Sequence, residues 1–379
     1  MADIGFNDDV NVGGRKFHVQ TASHHSQGKA SCEVFEQGRL INKSDVTFER
    51  RRHVDPDQFE NRIRNVVESL HDETLQEIEL MFSIAEKINN LKHAPSHVKM
   101  GMLFVKNNLL QDGIRHFEKA IKLNKNQIDA YNNLGLARIR LKEYDAAIRV
   151  FEEALRLNAD YPDIHHNLGV AYYLEKQHFK AIDHIQAALR MNPDYRLARY
   201  NLALVYLDSI LGDKKDTKLP PASIRAERAL QQLKELKLKN VRQVLSKVQK
   251  ALKQKDVKTA VKIIDTMREK VFPDDMYNLI GVDFYLRFMY GGKSLTNRTL
   301  EKFERDLSRA IEVKGDYADL WNSLGIVHLI QCRNLFIQAL NEFNKALQIN
   351  PRYEKALKNK KLVENDGKEF LILLRAILK

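Results

Sequence analysis

Along most of this chain apolar residues recur at intervals of three and four, the spacing that gathers them on one face of an α-helix. From Pro56 to Leu91 the series runs Phe59, Ile63, Val66, Val67, Leu70, Leu75, Ile78, Phe82, Ile84 and Ile88. That pattern predicts one long helix. From Ala94 onward shorter helical stretches follow one another. Residues 11–50 obey a different rule. Arg15-Lys-Phe-His-Val-Gln-Thr and Ser31-Cys-Glu-Val-Phe-Glu partly alternate between apolar and polar, as half-buried strands do. Gln37-Gly38-Arg39 marks a turn. These residues predict a small β-hairpin or three-stranded element behind a flexible start. An isolated hairpin is marginally stable, so the element must dock on a neighbour or pair with another chain.

The helical stretches repeat. Tyr131-Asn-Asn-Leu-Gly-Leu-Ala, His165-His-Asn-Leu-Gly-Val-Ala and Arg199-Tyr-Asn-Leu-Ala-Leu-Val are each offset by 34 residues. Gly101, Gly135, Gly169 and Ala203 keep that spacing, preceded by Met100, Leu134, Leu168 and Leu202. Farther along come Phe117, Phe151 and Ile185, then Ala120, Ala154 and Ala188. Small residues at the glycine and alanine positions let two antiparallel helices approach closely. Tyr172, Tyr206 and Phe151 fill the gap to the next unit. Pro193 and Pro351 end helices because they lack a backbone donor.

This large–Leu–Gly–aromatic–Ala–Phe–Ala–Pro pattern resembles the tetratricopeptide repeat (TPR) family, in the form of a bacterial member with a small N-terminal β element. The resemblance implies a mainly α fold, a right-handed α-solenoid of helix pairs. Seven units are expected, at 94–127, 128–161, 162–195, 196–240, 241–273, 274–317 and 318–353. The β element occupies 1–52, the long helical segment 53–93, and a capping helix 354–379. The fourth unit carries an insertion of about eleven residues ending in Leu-Pro-Pro (219–221). The fifth is degenerate, with Ala260, Ile264 and Met267 at second-helix positions. The sixth contains the loop Gly291-Gly-Lys-Ser-Leu-Thr-Asn-Arg. The seventh is read from Trp321, Leu324, Gly325, Ala339, Phe343 and Ala346. A cap is needed because terminal repeats otherwise expose an apolar face.

Composition narrows the setting. The chain has 379 residues, with 44% apolar and 30% charged, which suits a folded, helix-rich protein. Its two cysteines, Cys32 and Cys332, lie far apart with no metal-ligand spacing, fitting a reducing compartment. The N-terminus lacks a signal-peptide pattern. No stretch approaches the length of a membrane span. A cytoplasmic location is expected, with no cofactor and no metal.

Charge is unevenly spread. The net formal charge is +12, and between Lys234 and Lys262 ten Lys/Arg stand against two acids. The basic positions include Arg242, Lys247, Lys250, Lys253, Lys255 and Lys258. Such a run is most simply a solvated helix face. It also suits an acidic partner, nucleic acid or an anionic surface, although no aromatic residue interleaves it for stacking on single strands.

The resemblance implies that the first helix of each unit lines a concave groove where ligands lie. Asn133, Asn167 and Asn201 recur there, one per unit. Packing does not require them, and Asn is a mediocre helix former. Their amides offer donor and acceptor together, so a ladder of them can hold the backbone of an extended peptide. The simpler alternative is that they solvate the inner face or cap loops. Asp129, Asn132, Leu136, Asp163, His166, Val170, Tyr200 and Leu204 would flank them. Lys and Arg are missing from the positions at which some TPR co-chaperones clamp a terminal carboxylate.

Catalytic patterns fail on inspection. Gly291-Gly-Lys-Ser294 lacks the earlier glycine and the preceding strand of a phosphate loop. His18, His24, His25 and Cys32 match no strong zinc spacing. Paired acids such as Glu152-Glu153 are expected on exposed helix faces. The expected function is a non-catalytic scaffold or adaptor that binds a peptide or protein partner in the groove. The alternative is nucleic-acid or anionic-surface binding through 234–262, with nucleic acid the poorer fit. Self-association through the β element or the C-terminal helix is a further possibility.

Overall fold

A computed structural model describes residues 3–48, 56–212, 218–236, 241–271, 277–313, 318–352 and 354–377. The chain forms two compact units, Met1–Asp275 and Met276–Lys379.

The first unit opens with an antiparallel sheet of four strands, β1 (Gly5–Val12), β2 (Arg15–His24), β3 (Lys29–Glu36) and β4 (Arg39–Thr47), in sequential order. The small N-terminal β element is thus present, with four strands where a hairpin or three strands were expected. Gly13-Gly14 and Gln37-Gly38 connect the outer hairpins with both central residues at positive φ. That is the two-residue turn whose twist matches paired strands. Alternation on β2 buries Phe17, Val19, Thr21 and Ser23, joined by Ala30, Cys32 and Val34 of β3. The long helix α1 (Pro56–Asn89) covers this face with Ile63, Val67, His71 and Phe82.

Five helix pairs follow: α2 (Ala94–Lys106) with α3 (Leu110–Leu123), α4 (Ile128–Arg140) with α5 (Tyr144–Leu157), α6 (Pro162–Leu174) with α7 (His178–Met191), α8 (Arg196–Leu211) with α9 (Ala222–Glu235), and α10 (Val241–Lys253) with α11 (Val257–Val271). The predicted close approaches are present. A Cβ on Gly101 would come within 2.5 Å of the Phe117 ring, and one on Gly135 within 2.4 Å of Phe151. On Gly169 it would meet Ile185 at 2.5 Å. Ala203 is fully buried.

The turn inside a pair has a fixed form. Asn108, Lys142, Lys176 and Lys255 take φ between 56° and 62°. The next amide then closes a six-to-one bond, as in Leu109 N→Phe104 O, Glu143 N→Arg138 O, Gln177 N→Tyr172 O and Asp256 N→Ala251 O. This is a left-handed helix stop, made here without glycine.

Seams between successive pairs are also periodic. Arg138 donates to Glu118, Tyr172 to Glu152, and Gln186 to Tyr206, at 3.0, 2.6 and 2.9 Å. Each seam lies 34 residues from the one before. Glu152, expected on an exposed face, is therefore half-buried in a seam.

The sheet is tied to the first pair. Arg15 grips Glu36 with Nε and Nη2 and reaches Asp112 of α3 with Nη1 at 2.7 Å. Phe17, Phe82 and Phe104 pack ring against ring from β2 through α1 to α2, in tilted and edge-to-face contacts with centroids 5.4 and 5.5 Å apart.

The second unit contains α12 (Tyr277–Tyr290), α13 (Asn297–Val313), α14 (Ala318–Ile349) and α15 (Glu354–Ile377). The seventh expected unit is not a helix pair. Its residues form one continuous helix of 32 residues. Gln331-Cys-Arg-Asn-Leu-Phe-Ile-Gln contains no Gly, Pro or Asp to stop it, and an added Cβ on Gly325 would meet open space. The apolar run from Phe370, expected to form a cap, has side chains outside the described residues.

Candidate functional site

The first helices of successive pairs, α2, α4, α6 and α8, lie side by side and carry the predicted groove residues. The asparagines are engaged differently from a simple ladder. Asn133 turns back on its own helix, donating to the Asp129 carbonyl at 2.8 Å. Asn167 and Asn201 belong instead to a chain that crosses three helices. Asn201 Nδ2 meets His166 Nε2 at 2.7 Å. His166 Nδ1 meets Asn167 Oδ1 at 3.1 Å. Asn167 Nδ2 donates to Asn132 Oδ1 at 2.8 Å.

Chemistry sets the direction of this chain. An amide oxygen only accepts, so His166 carries its proton on Nδ1 and accepts at Nε2. The donors therefore run from Asn201 through His166 and Asn167 to Asn132. Burial disfavours the imidazolium and lowers the His166 pKa to about 4, which keeps the ring in this neutral form. The amide nitrogen of Asn132, at the end of the chain, has no acceptor among the described residues.

The other predicted groove residues divide into two groups. Asp129 and Asp163 are exposed, Asn132 is half-buried, and Leu136 is 37% exposed. Tyr200 and His166, in contrast, are buried. Tyr200 donates its hydroxyl to the Ile264 carbonyl of α11 at 3.0 Å, so it is not part of an open surface. Tyr195 packs against His166 with ring centroids 5.0 Å apart and the planes tilted by 48°.

Sequence reading missed a pair of histidine contacts, one buried and one half-buried. His97 Nδ1 lies 3.0 Å from His116 Nδ1, and His165 Nδ1 lies 3.2 Å from His184 Nδ1. Both members recur at an offset of 68, two repeats. His97 and His165 each spend Nε2 on a carbonyl six residues back, Leu91 and Ala159. Each therefore accepts at Nδ1 and its partner donates. Burial lowers the pKa of all four, that of His116 to about 3. These pairs lock first helix to second; His165 is turned to packing and His166 to the groove.

A hydroxyl, an imidazole and a carboxylate also meet in the sheet. Thr21 Oγ1 lies 2.8 Å from His71 Nδ1, and His71 Nε2 lies 3.0 Å from Asp8 Oδ2. Thr21 and His71 are sealed between the sheet and α1, so the trio fastens α1 to the strands. Cys32 lies in the same layer beside Thr21, and His18 pairs with Asp9. Among the described residues no group of three or more His, Cys, Asp or Glu is placed to hold a metal ion. No described helix is long and apolar enough to cross a membrane.

Arg242, Lys247, Lys250, Lys253, Lys255 and Lys258 are all exposed on α10, α11 and the turn between them. None makes an ion pair among the described residues. Asp256 is engaged in capping α11 through Thr259 N at 2.9 Å.

Helix pairs stacked at a fixed period, closed by small-residue contacts and offering a row of first helices, define an α-solenoid. Residues 116–195 carry tetratricopeptide repeats. Family models described as "TPR repeat" and "Tetratricopeptide repeat" match residues 137–176, 162–195 and 116–149. Several solved structures are similar. MamA is 23% identical, the match covering 43% of this chain and 94% of that one, with a TM-score of 0.35. YrrB, titled a TPR protein with an unusual peptide-binding site, is 17% identical over 64% and 98%, with a TM-score of 0.33. The first TPR of Spaghetti (RPAP3), bound to the HSP90 peptide SRMEEVD, is 18% identical over 31% and 94%, with a TM-score of 0.30. No curated protein sequence matches the chain significantly.

Proposed function

We propose that this chain is a non-catalytic scaffold that holds an extended segment of a partner protein along α2, α4 and α6. The observation that carries the reading is the directed hydrogen-bond chain ending on Asn132. It fixes an uncommitted amide donor on a half-buried groove surface, where a backbone carbonyl of an extended peptide fits. Met102, Leu136, Ile139 and Val170 stand partly or fully exposed on the same helices and offer apolar contact for the peptide's side chains. Such grooves gain affinity from a rigid, preorganised wall, and the repeat seams supply that rigidity.

The test is parallel capture from native lysate on the immobilised full chain and on the double variant Asn132→Ala, Leu136→Asp. The reading expects a protein retained by the wild type and reduced at least tenfold on the variant, with helical circular dichroism unchanged. Identical retained sets would end it.

A second reading rests on the α10–α11 ridge. Six exposed cations that make no ion pair among the described residues form a surface that attracts polyanions, mostly lysine point charges rather than the forked donors used to read bases.

A further inference from the structure

The inner surface changes character along the array, and the change is laid out at the repeat period. Asn132, Leu136 and Ile139 of the second repeat correspond to His166, Val170 and Tyr173 of the third, and to Tyr200, Leu204 and Leu207 of the fourth. The second-repeat set is open or half-open to solvent; the fourth-repeat set is buried. What buries it is α11. In earlier repeats the first helix of the next pair comes against the preceding first helix, as α4 does on α2 and α6 does on α4. At the fifth pair the second helix, α11, takes that position against α8.

α11 meets the groove along a narrow edge. Ala260 and Ile264 are fully buried, and Val257 and Val261 are half-buried. Those four stand at i, i+3, i+4 and i+7, one face of a helix. Tyr200 supplies one polar anchor by donating to the Ile264 carbonyl. Burial first, and then the nearby Asp265, raise the Tyr200 pKa and keep its hydroxyl a donor. Lys258, Thr259, Lys262, Thr266 and Arg268 face solvent, so the helix carries a water-compatible side whether docked or not.

We propose that the concave face of the fourth repeat is a helix-binding groove with α11 as its resident occupant. The external ligand it fits is an amphipathic helix with small and β-branched side chains at i, i+3, i+4 and i+7, admitted when α11 lets go. This rests on the scaffold reading and adds a second, self-occupied compartment to the open one. An apolar floor of Leu204, Leu207 and the Tyr200 ring suits a helix edge, whereas the amide-lined second repeat suits an extended strand. Internal occupancy lowers the affinity of any outside ligand by the fraction of grooves left open.

The experiment uses a fluorescein-labelled synthetic peptide with the sequence of residues 257–271, titrated by anisotropy against the full chain. In the full-chain variant Ile264→Asp the buried charge should expel α11 from α8 while leaving the groove residues of α8 unchanged in sequence. The peptide is expected to bind this variant at least tenfold more tightly than the wild type. A peptide carrying the same Ile264→Asp change should bind neither protein. The gentler full-chain variant Ile264→Ala should fall between, and it decides the matter if Ile264→Asp loses its helical circular dichroism. No gain for either variant over the wild type, or equal binding of the altered peptide, overturns the proposal. The Asn132→Ala, Leu136→Asp chain should bind the peptide as the wild type does, so the open and the self-occupied compartments can fail separately.

Discussion

The Tyr172 hydroxyl donates to Glu152 at 2.6 Å across the seam between the second and third repeats. The same seam one repeat earlier is an Arg138–Glu118 contact, and one repeat later a Gln186–Tyr206 contact. Position is kept while the donor group changes. Tyr172→Phe should therefore cost about 1–2 kcal/mol, since it leaves a half-buried carboxylate without its donor. Glu152→Gln, which retains an acceptor, should cost less. Urea unfolding followed by circular dichroism distinguishes the two; equal losses would show that the seam depends on packing alone.

The left-handed turn residues offer a stabilising change. Lys142 and Lys176 hold φ of 62° and 61°, a conformation that a Cβ disfavours and glycine adopts freely. Lys142→Gly should stabilise the array by about 0.5–1 kcal/mol, a little less than the strain relieved because glycine also loosens the unfolded chain, and Lys176→Gly should gain less, since it gives up the Lys176–Asp208 ion pair and the contact with the Tyr173 ring. A rise in the urea midpoint checks this. A fall would mean that the lysine side chains contribute contacts exceeding the strain.

Acid should dismantle the repeats through their buried histidines. His116 and His166 have pKa values lowered from 6.5 to about 3 and about 4 by burial. Below pH 6.5 the unfolded chain takes up protons that the folded chain refuses until its own pKa values are reached. Stability is therefore complete above 6.5 and falls as pH drops through that window, by on the order of 1.4 kcal/mol per pH unit for each ring. The double variant His116→Gln, His166→Gln should show a flatter decline in urea midpoint between pH 7 and pH 4.5. An unchanged slope would place the acid sensitivity elsewhere.

The α10–α11 ridge makes a salt-dependent prediction. Lys250→Glu with Lys253→Glu should elute earlier from a heparin column than the wild type, and retention of the wild type should fall steeply between 50 and 200 mM salt, as counterion release requires. Retention indifferent to both changes would mark the ridge as a solvated face.

How much of this was legible in the sequence follows from the range over which each feature is specified. The helix pairs were legible because Gly135, Phe151 and Ala154 lie within one repeat and recur at its period. The sheet was legible only in part. Asp8 and Asp9 gave β1 a charged appearance, yet Gly13-Gly14 between two extended stretches was the signal for a first hairpin. The seventh unit misled because apolar periodicity persisted in α14 while the turn residue did not. Asn133, Asn167 and Asn201 share a position in sequence but not a fate, since His166 intervenes between two of them and none stands beside Asn133. Burial of Tyr200 was not legible at all, because the residue that covers it, Ile264, is 64 positions away.

The clasp of Arg15 on Asp112, together with the bond from Asn42 to Asn107 at 3.3 Å, gives the stack a direction. The strands and α1 sit where a preceding helix pair would have to add, on α2 and α3. The apolar end that a first repeat would otherwise expose is thus covered from within the chain, by the strands and α1.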